Sequence, residues 1–85
     1  MSEDGTTEGV ISRTELAELA GLFDRFEFAF DPRALAAREA ESVFESRVLA
    51  IYEERVQPRY ASFSFVAFHC HVKSLCRAYL RKNSP

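Results

Sequence analysis

The sequence predicts an all-α fold, a small three-helix bundle with an up-down-up arrangement. Two observations support this: apolar residues recur at helical spacing in three segments, and Pro32 and Pro58 mark short breaks between them. With 85 residues, of which 47% are hydrophobic, the chain has room for one domain. We assign that domain to residues 11–85 and expect the polar, Gly-, Thr- and Glu-rich residues 1–10 to form a disordered leader.

The first helix is predicted from Arg13 to about Phe28. Ser12 and Glu15 have the spacing of a capping box. In this motif the serine hydroxyl accepts a hydrogen bond from the glutamate backbone N–H, and the glutamate carboxylate accepts one from the serine backbone N–H. Ile11, just before the cap, is placed for a hydrophobic staple. The apolar stripe that follows consists of Leu16, Leu19, Ala20, Phe23, Phe26 and Phe30.

The second helix is predicted from Pro32 to about Val56. Asp31 is a favourable N-cap residue, and proline at the first helical position loses no hydrogen bond. No glycine or proline interrupts the segment before Gln57 and Pro58 end it. The sequence therefore predicts a helix of about 25 residues, which is about 37 Å long at 1.5 Å per residue.

The third helix is predicted to follow Ser64 as its N-cap and to run to about Lys82, with Asn83 as C-cap. Its apolar seam consists of Phe65, Phe68, Val72, Leu75, Cys76 and Tyr79. A strand over residues 60–68 is the alternative, because polar and apolar residues alternate there. We prefer the helix because the spacing after Phe65 is helical and β-branched residues are scarce.

Charge divides the chain into two parts. Residues 1–54 have a net charge of −8 and residues 55–85 have a net charge of +6. The sequence predicts internal pairing between these parts, or a basic surface that binds an anion. Lys73, Arg77 and Arg81, spaced four residues apart, form a basic stripe that would carry such anion or nucleic-acid binding. The overall charge of −2 and the lack of an aromatic residue on that stripe argue against a dedicated nucleic-acid-binding protein.

The cysteine and histidine residues cluster in the third helix, but their spacing does not suit a metal. On a helix, His69 and His71 point about 200° apart, and Cys76 lies about 10 Å along the axis from His69. On a strand the two histidines would share a face, and zinc would then be possible. We expect no metal and no cofactor. Cys70 and Cys76 are also too far apart to form a disulfide, which predicts reduced thiols and a cytoplasmic location.

No motif in the sequence assembles a catalytic site, so we expect a protein that is not an enzyme. No apolar run reaches the roughly 18 residues of a membrane-spanning helix, and the acidic start does not resemble a secretory signal. The favoured function is that of a helical interaction module that self-associates or docks a protein partner through apolar helix surface.

The predicted partner-binding surface lies on the second helix, which exceeds its neighbours in length by about 10 Å. Leu35, Phe44, Tyr52 and Val56 are apolar positions along this helix. Either the connecting segments fold back to cover its ends, or a second copy covers them. From this mismatch the sequence predicts a symmetric homodimer or an equivalent helical partner along the second helix.

Overall fold

The computed structural model describes residues 10–83, and in this range the secondary structure consists of three α-helices and one π-helical turn. The helices are α1 (Arg13–Glu27), α2 (Leu35–Ile51) and α3 (Phe65–Lys82). The π-helical turn, Tyr52–Val56, follows α2 directly. The predicted all-α fold is confirmed. The expectation of a disordered leader falls almost entirely on residues outside this range.

The start of α1 follows the predicted capping box. The Ser12 N–H donates to Glu15 Oε1 at 3.0 Å, and the Glu15 N–H donates to Ser12 Oγ at 3.1 Å. Ile11 is buried beside this cap, and Val10 packs against the core as well. At the other end α1 stops at Glu27, one residue earlier than predicted.

The start of α2 differs from the prediction. Asp31 does not cap a helix that begins at Pro32, because its Oδ1 accepts from the Arg33 N–H at 3.0 Å and its carbonyl accepts from the Ala34 N–H at 3.0 Å. These bonds form a tight turn, and α2 begins only at Leu35. The N-cap of α2 is Ala34, whose side chain makes no capping hydrogen bond. The predicted break between the first two helices is therefore confirmed, whereas the predicted role of Asp31 as an N-cap is wrong.

The end of the second helical segment reaches Val56 as predicted, but its last turn is π-helical. The Gln57 N–H donates to the Tyr52 carbonyl five residues back, at 2.8 Å. This wider turn keeps both Tyr52 and Val56 in the core. The chain then folds back, and the Tyr52 hydroxyl donates to the Phe63 carbonyl at 2.6 Å. The connector that leads to α3 thus covers the C-terminal end of the second helical segment within the same chain.

The third helix begins and ends as predicted. Ser64 Oγ accepts from the Ala67 N–H at 3.1 Å, and the Asn83 side-chain amide donates to the Tyr79 carbonyl at 2.8 Å. Turns precede the helix, and residues 60–68 contain no strand. The strand alternative is therefore wrong. Within residues 10–83, none of the helices combines the length and the apolarity needed to cross a bilayer.

The helices run up-down-up, with α1 packed against both neighbours and a smaller contact between α2 and α3. Side-chain contacts join the early part of α1 to the late part of the second helical segment, and that segment to the early part of α3. Neighbouring helices along the chain are therefore antiparallel. Contacts between the late parts of α1 and α3 establish that these two are parallel. The first pair of helices is joined by Glu18–Arg47 and Glu15–Arg55. The second pair is joined by Tyr52–Phe65 and Phe44–His69, and α1 is joined to α3 by Glu27–Arg77.

Candidate docking surfaces

The four predicted partner-binding residues do not share one surface. Phe44 and Val56 are fully buried and Tyr52 nearly so, whereas Leu35 is 70% exposed. The fold-back of the connector accounts for Tyr52 and Val56, and an aromatic cluster accounts for Phe44. These three side chains are core residues of this chain, which corrects the expectation that they are open to a partner. Of the four, only Leu35 lies on the surface.

The aromatic cluster lies where all three helices meet. The Phe44 ring centroid is 5.9 Å from that of Phe23, 5.3 Å from that of Phe26 and 5.9 Å from that of His69. Edge-on and tilted contacts at these distances are favourable arrangements for aromatic rings. Phe23 and Phe26, both in the predicted apolar stripe of α1, therefore belong to the core or pack against it. Phe28 and Phe30, which follow them, are exposed.

The apolar tip, formed by Phe28, Phe30 and Leu35, is the first candidate surface. Phe28 is 62% exposed, and Phe30 projects fully into solvent. All three lie on the connector between α1 and α2 or at its border, so they share one end of the bundle. Scattered apolar residues are normal on protein surfaces, but here three large ones lie within eight residues, which makes this end of the bundle a candidate surface. Only Leu35 was among the residues predicted to bind a partner.

The sequence does contain a signal for this tip. Phe28 and Phe30 alternate with Ala29 just before Asp31 and Pro32, and a proline pushes the preceding residue out of the helical region. A connector rather than a helix was therefore expected after residue 28. The placement of Phe30 on the apolar stripe of the first helix was therefore wrong, because a residue in a connector has no neighbouring helix to cover it.

The apolar groove, an open depression of about 690 Å³, is the second candidate surface and lies at the opposite end of α1. Buried Val56 and Phe68 form part of it, and the more exposed Tyr60 and Phe63 border it. The remaining lining residues are Val10, Ile11, Ser62, Ala67, Cys70, His71 and Ser74. Its size lies within the range of about 300–1,000 Å³ that is common for ligand pockets.

The three residues of the predicted basic stripe differ in their solvent exposure and in their contacts. Arg77 Nη2 contacts Glu27 Oε2 at 3.3 Å, and its guanidinium lies 5.4 Å from the centroid of the Phe23 ring. Lys73 is half-buried, and Arg81 is exposed. The pairing of Arg77 agrees with the internal complementarity predicted from the charge distribution. The carboxylate that pairs with Arg77 is that of Glu27, the last residue of α1.

The histidines and cysteines are separated between core and groove. The His69 ring stacks on Phe65 with centroids 5.6 Å apart, and its Nε2 atom is buried without a hydrogen-bond partner within residues 10–83. Cys76 is also buried, and this burial raises the pKa of its thiol to about 12. Cys70 and His71 lie instead in the groove. Within the described residues, no group of three or more His, Cys, Asp or Glu side chains is arranged to hold a metal.

Comparisons with protein-family models, curated proteins and solved structures find no match for this chain.

Proposed function

We propose that this chain is a protein-docking module without catalytic activity, and that it binds other protein surface through the apolar tip. The observation that carries this proposal is the full exposure of Phe30 together with the large exposed fractions of Phe28 and Leu35. Aromatic side chains that enter a pocket of a partner commonly dominate the binding energy of an interface. Moving one such side chain out of water contributes about 1.5–3 kcal/mol.

The tip is well built for docking because the bundle holds it in place. Phe28 packs edge-on against Phe23 with ring centroids 6.1 Å apart, and the Asp31 turn fixes the start of the next helix. Neither Phe28 nor Phe30 is needed to fill the core. The two rings therefore contribute apolar surface that the fold itself does not use, which supports a role in contact with another molecule.

The proposal includes a non-enzymatic role and a reducing, cytoplasmic location. Two features support it. The raised pKa of Cys76 keeps that thiol protonated and unreactive near neutral pH. Both cysteines are free thiols, Cys70 exposed and Cys76 buried, as is usual in a reducing compartment.

A photo-crosslinking experiment tests the docking proposal. Phe30 is replaced by the photoreactive residue benzoylphenylalanine in the full-length protein, and the crosslinked peptides are identified by mass spectrometry. The matched control places the same residue at Val66, which is 70% exposed on α3 but lies outside the tip. We expect saturable protein crosslinks from position 30 and only weak, non-saturable ones from position 66. Equal, non-saturable labelling from both positions would contradict the proposal.

The alternative function, an anion-binding or nucleic-acid-binding domain that uses Lys73, Arg77 and Arg81, has less support. The contacts of Arg77 with Glu27 and Phe23 must be broken before this arginine can bind a phosphate in full. Retention on heparin separates the two proposals. Strong, salt-dependent retention that the Arg81→Gln substitution reduces would favour anion binding, because each lost phosphate contact lowers the salt dependence.

A further inference from the structure

We propose that the apolar tip binds an acidic segment of a partner protein, in which an apolar side chain stands next to a carboxylate. The apolar side chain packs on Phe28, and the carboxylate pairs with Arg81. This inference rests on the proposed docking function and names the chemistry of the partner. It also gives a role to one residue of the predicted basic stripe.

The apolar tip continues into a depression at the same end of the bundle. This open depression has a volume of about 610 Å³ and lies between the end of α1 and the end of α3. Its apolar lining comes from Phe28 and Leu80. The polar lining residues are Asp24, Arg77, Arg81 and Asn83. A side chain of a partner that packs on the exposed ring of Phe28 therefore meets arginine side chains within the same site.

The two arginines of this depression differ in how far their charge is already neutralised. Arg77 contacts Glu27 at 3.3 Å, and its guanidinium lies over the Phe23 ring. Arg81 is exposed and forms no ion pair within residues 10–83. Arg81 is therefore the arginine of this site that is open to a carboxylate from outside, and an arginine can hold a carboxylate through two hydrogen bonds.

The wider charge of this end of the bundle also favours an acidic partner. Residues 24–40 and 77–83 contain six basic and four acidic residues, which gives a net charge of +2. Of the six basic residues, Arg77 forms an ion pair within the described part of the chain. The others are exposed and unpaired there, and they are Arg25, Arg33, Arg38, Arg81 and Lys82. Complementary charge steers a partner to such a surface and speeds association.

A protein segment fits these features better than a flat anionic bilayer does. Four carboxylates lie among the basic residues of this end, and that of Asp24 lines the depression itself. A bilayer with anionic headgroups approaches all of these carboxylates together, and like charges placed opposite each other oppose binding. A segment of a partner can instead direct one carboxylate to Arg81 and one apolar side chain to Phe28.

Selection from a library of random peptides displayed on phage tests this chemistry. The bait is the full-length protein, and the Phe30→Ser variant serves as counter-bait to remove peptides that bind outside the tip. The surviving peptides are synthesised, and their dissociation constants are measured by fluorescence anisotropy. Every protein variant is first checked by circular dichroism melting, because only folded variants are informative.

We expect the surviving peptides to combine an apolar residue with a nearby aspartate or glutamate. Arg81→Gln should weaken their binding about two- to fivefold at low salt, as for loss of one exposed ion pair, and this difference should shrink at high salt. Phe28→Ser should weaken it at least about tenfold. The matched control is Arg13→Gln, which removes an exposed arginine at the opposite end of α1 and should leave the affinity unchanged.

A charge reversal gives a sharper measurement. The Arg81→Glu variant should bind the acidic peptides still more weakly than Arg81→Gln does. It should also bind peptides in which lysine replaces the acidic residue more tightly than the wild type binds them. A residue that only supports the fold does not produce this exchange of preference. If the lysine peptides bind Arg81→Glu no better than the wild type, Arg81 does not contact the partner and the inference is overturned.

The remaining outcomes separate this inference from the docking function. Peptides that depend on Phe30 but carry no excess of acidic residues would overturn the inference and retain the docking function. Failure to recover any peptide that depends on Phe30 also overturns it, and the crosslinks from position 30 then decide separately whether the tip docks protein. Flotation with vesicles of equal parts phosphatidylcholine and phosphatidylserine is the last measurement. Vesicle binding that Arg81→Gln abolishes, without recovery of acidic peptides, would identify a bilayer as the occupant and overturn the protein partner.

Discussion

Arg55 connects three separate parts of the chain. Its Nη1 and Nη2 atoms contact the two carboxylate oxygens of Glu15 at 2.7 and 2.8 Å, and Nη1 also donates to the Val10 carbonyl at 2.7 Å. Hydrogen bonds from Arg55, and then from the Ser12 backbone, lower the pKa of Glu15 to about 2. The pairing also raises the pKa of Arg55. One carboxylate thus serves both the helix cap and the contact between α1 and the π-helical turn.

The Glu15→Gln substitution separates these two roles, because glutamine preserves the capping box but not the charge. We expect a loss of about 1 kcal/mol near neutral pH, since the pair is bidentate but about one third exposed. A lowered folded-state pKa stabilises the protein above pH 4.5, and this contribution is lost as the pH falls from there towards 2. Urea unfolding across this range should therefore converge for wild type and variant at low pH.

The control for this prediction is Glu18→Gln, which breaks the more exposed pair with Arg47 and touches no cap. Its effect should stay below about 0.5 kcal/mol. A Glu15→Gln variant whose stability parallels the wild type at every pH would contradict the proposed role of the charge.

His69 has a buried Nε2 atom without a hydrogen-bond partner in the part of the chain that the structure describes. The ring is flanked by Phe65 and Phe44, so a phenylalanine fits the same site without a polar atom. The His69→Phe substitution should therefore raise the free energy of unfolding by about 1–2 kcal/mol. Urea unfolding at neutral pH measures it. A destabilised but folded variant would show instead that Nε2 is hydrogen-bonded in solution.

The two cysteines should differ sharply in reactivity. Cys70 is exposed, whereas burial of Cys76 raises the pKa of its thiol to about 12 and shields it from reagents. At low protein concentration and mildly alkaline pH, we expect iodoacetamide to modify one thiol in the folded protein and both in urea. The Cys70→Ser variant should then remain unmodified until it unfolds. Rapid native-state labelling of Cys76 would contradict the structure of the core.

At the scale of the helices, side-chain caps determine where the elements begin. Both α1 and α3 have a serine that accepts from the N–H three residues on. The start of α2 lacks any side-chain cap, although Ala34 has an extended backbone conformation, with φ −58° and ψ 145°. This conformation is compatible with an N-cap, so a capping residue at position 34 would meet no strain.

Replacing Ala34 by aspartate should therefore stabilise the protein by about 0.5–2 kcal/mol. The carboxylate can accept from the free N–H groups of the first turn, and its charge favours the positive end of the helix dipole. Thermal and urea unfolding would measure the change. The control Ala34→Gln adds a polar side chain that is not a favoured N-cap and should have little effect. An equal gain in both variants would show that capping is not the cause.

The starts of α1 and α3 were predictable from the sequence because their capping signals are local. Ser12, Glu15 and Ser64 each act on a backbone group three residues away. The start of α2 was not, because an aspartate before a proline suits both an N-cap and a tight turn, and the choice depends on the rest of the connector. The exposure of Phe28 and Phe30 does not follow from helical spacing, which places Phe30 on the stripe; it follows from the break at Asp31 and Pro32, which ends the helix before them.

At the scale of the whole molecule, the charge division becomes contacts between elements. Within residues 10–83, ion pairs between the acidic and the basic part that also join separate elements include Glu15 with Arg55 and Glu27 with Arg77. Internal pairing was one of the two interpretations of the charge pattern, and these contacts agree with it. The apolar residues are also grouped. The aromatic cluster lies at the centre of the bundle, and the apolar tip and the apolar groove lie at its two ends. The same residue type therefore holds the fold together in one place and leaves surface for binding in another.

Phe44 allows this distinction to be tested, because its ring contacts both other helices and is fully buried. A domain of 85 residues has a total stability of about 4–13 kcal/mol. The Phe44→Ala substitution should remove about 3–5 kcal/mol of it, through lost transfer energy and the cavity left behind. The Phe30→Ala substitution, at a fully exposed ring, should change stability by less than about 0.5 kcal/mol. Urea unfolding monitored by circular dichroism should thus show a much lower midpoint for the first variant and an almost unchanged midpoint for the second. If the two phenylalanines cost the same, the apolar tip would belong to the core in solution, and the docking proposal would lose its surface.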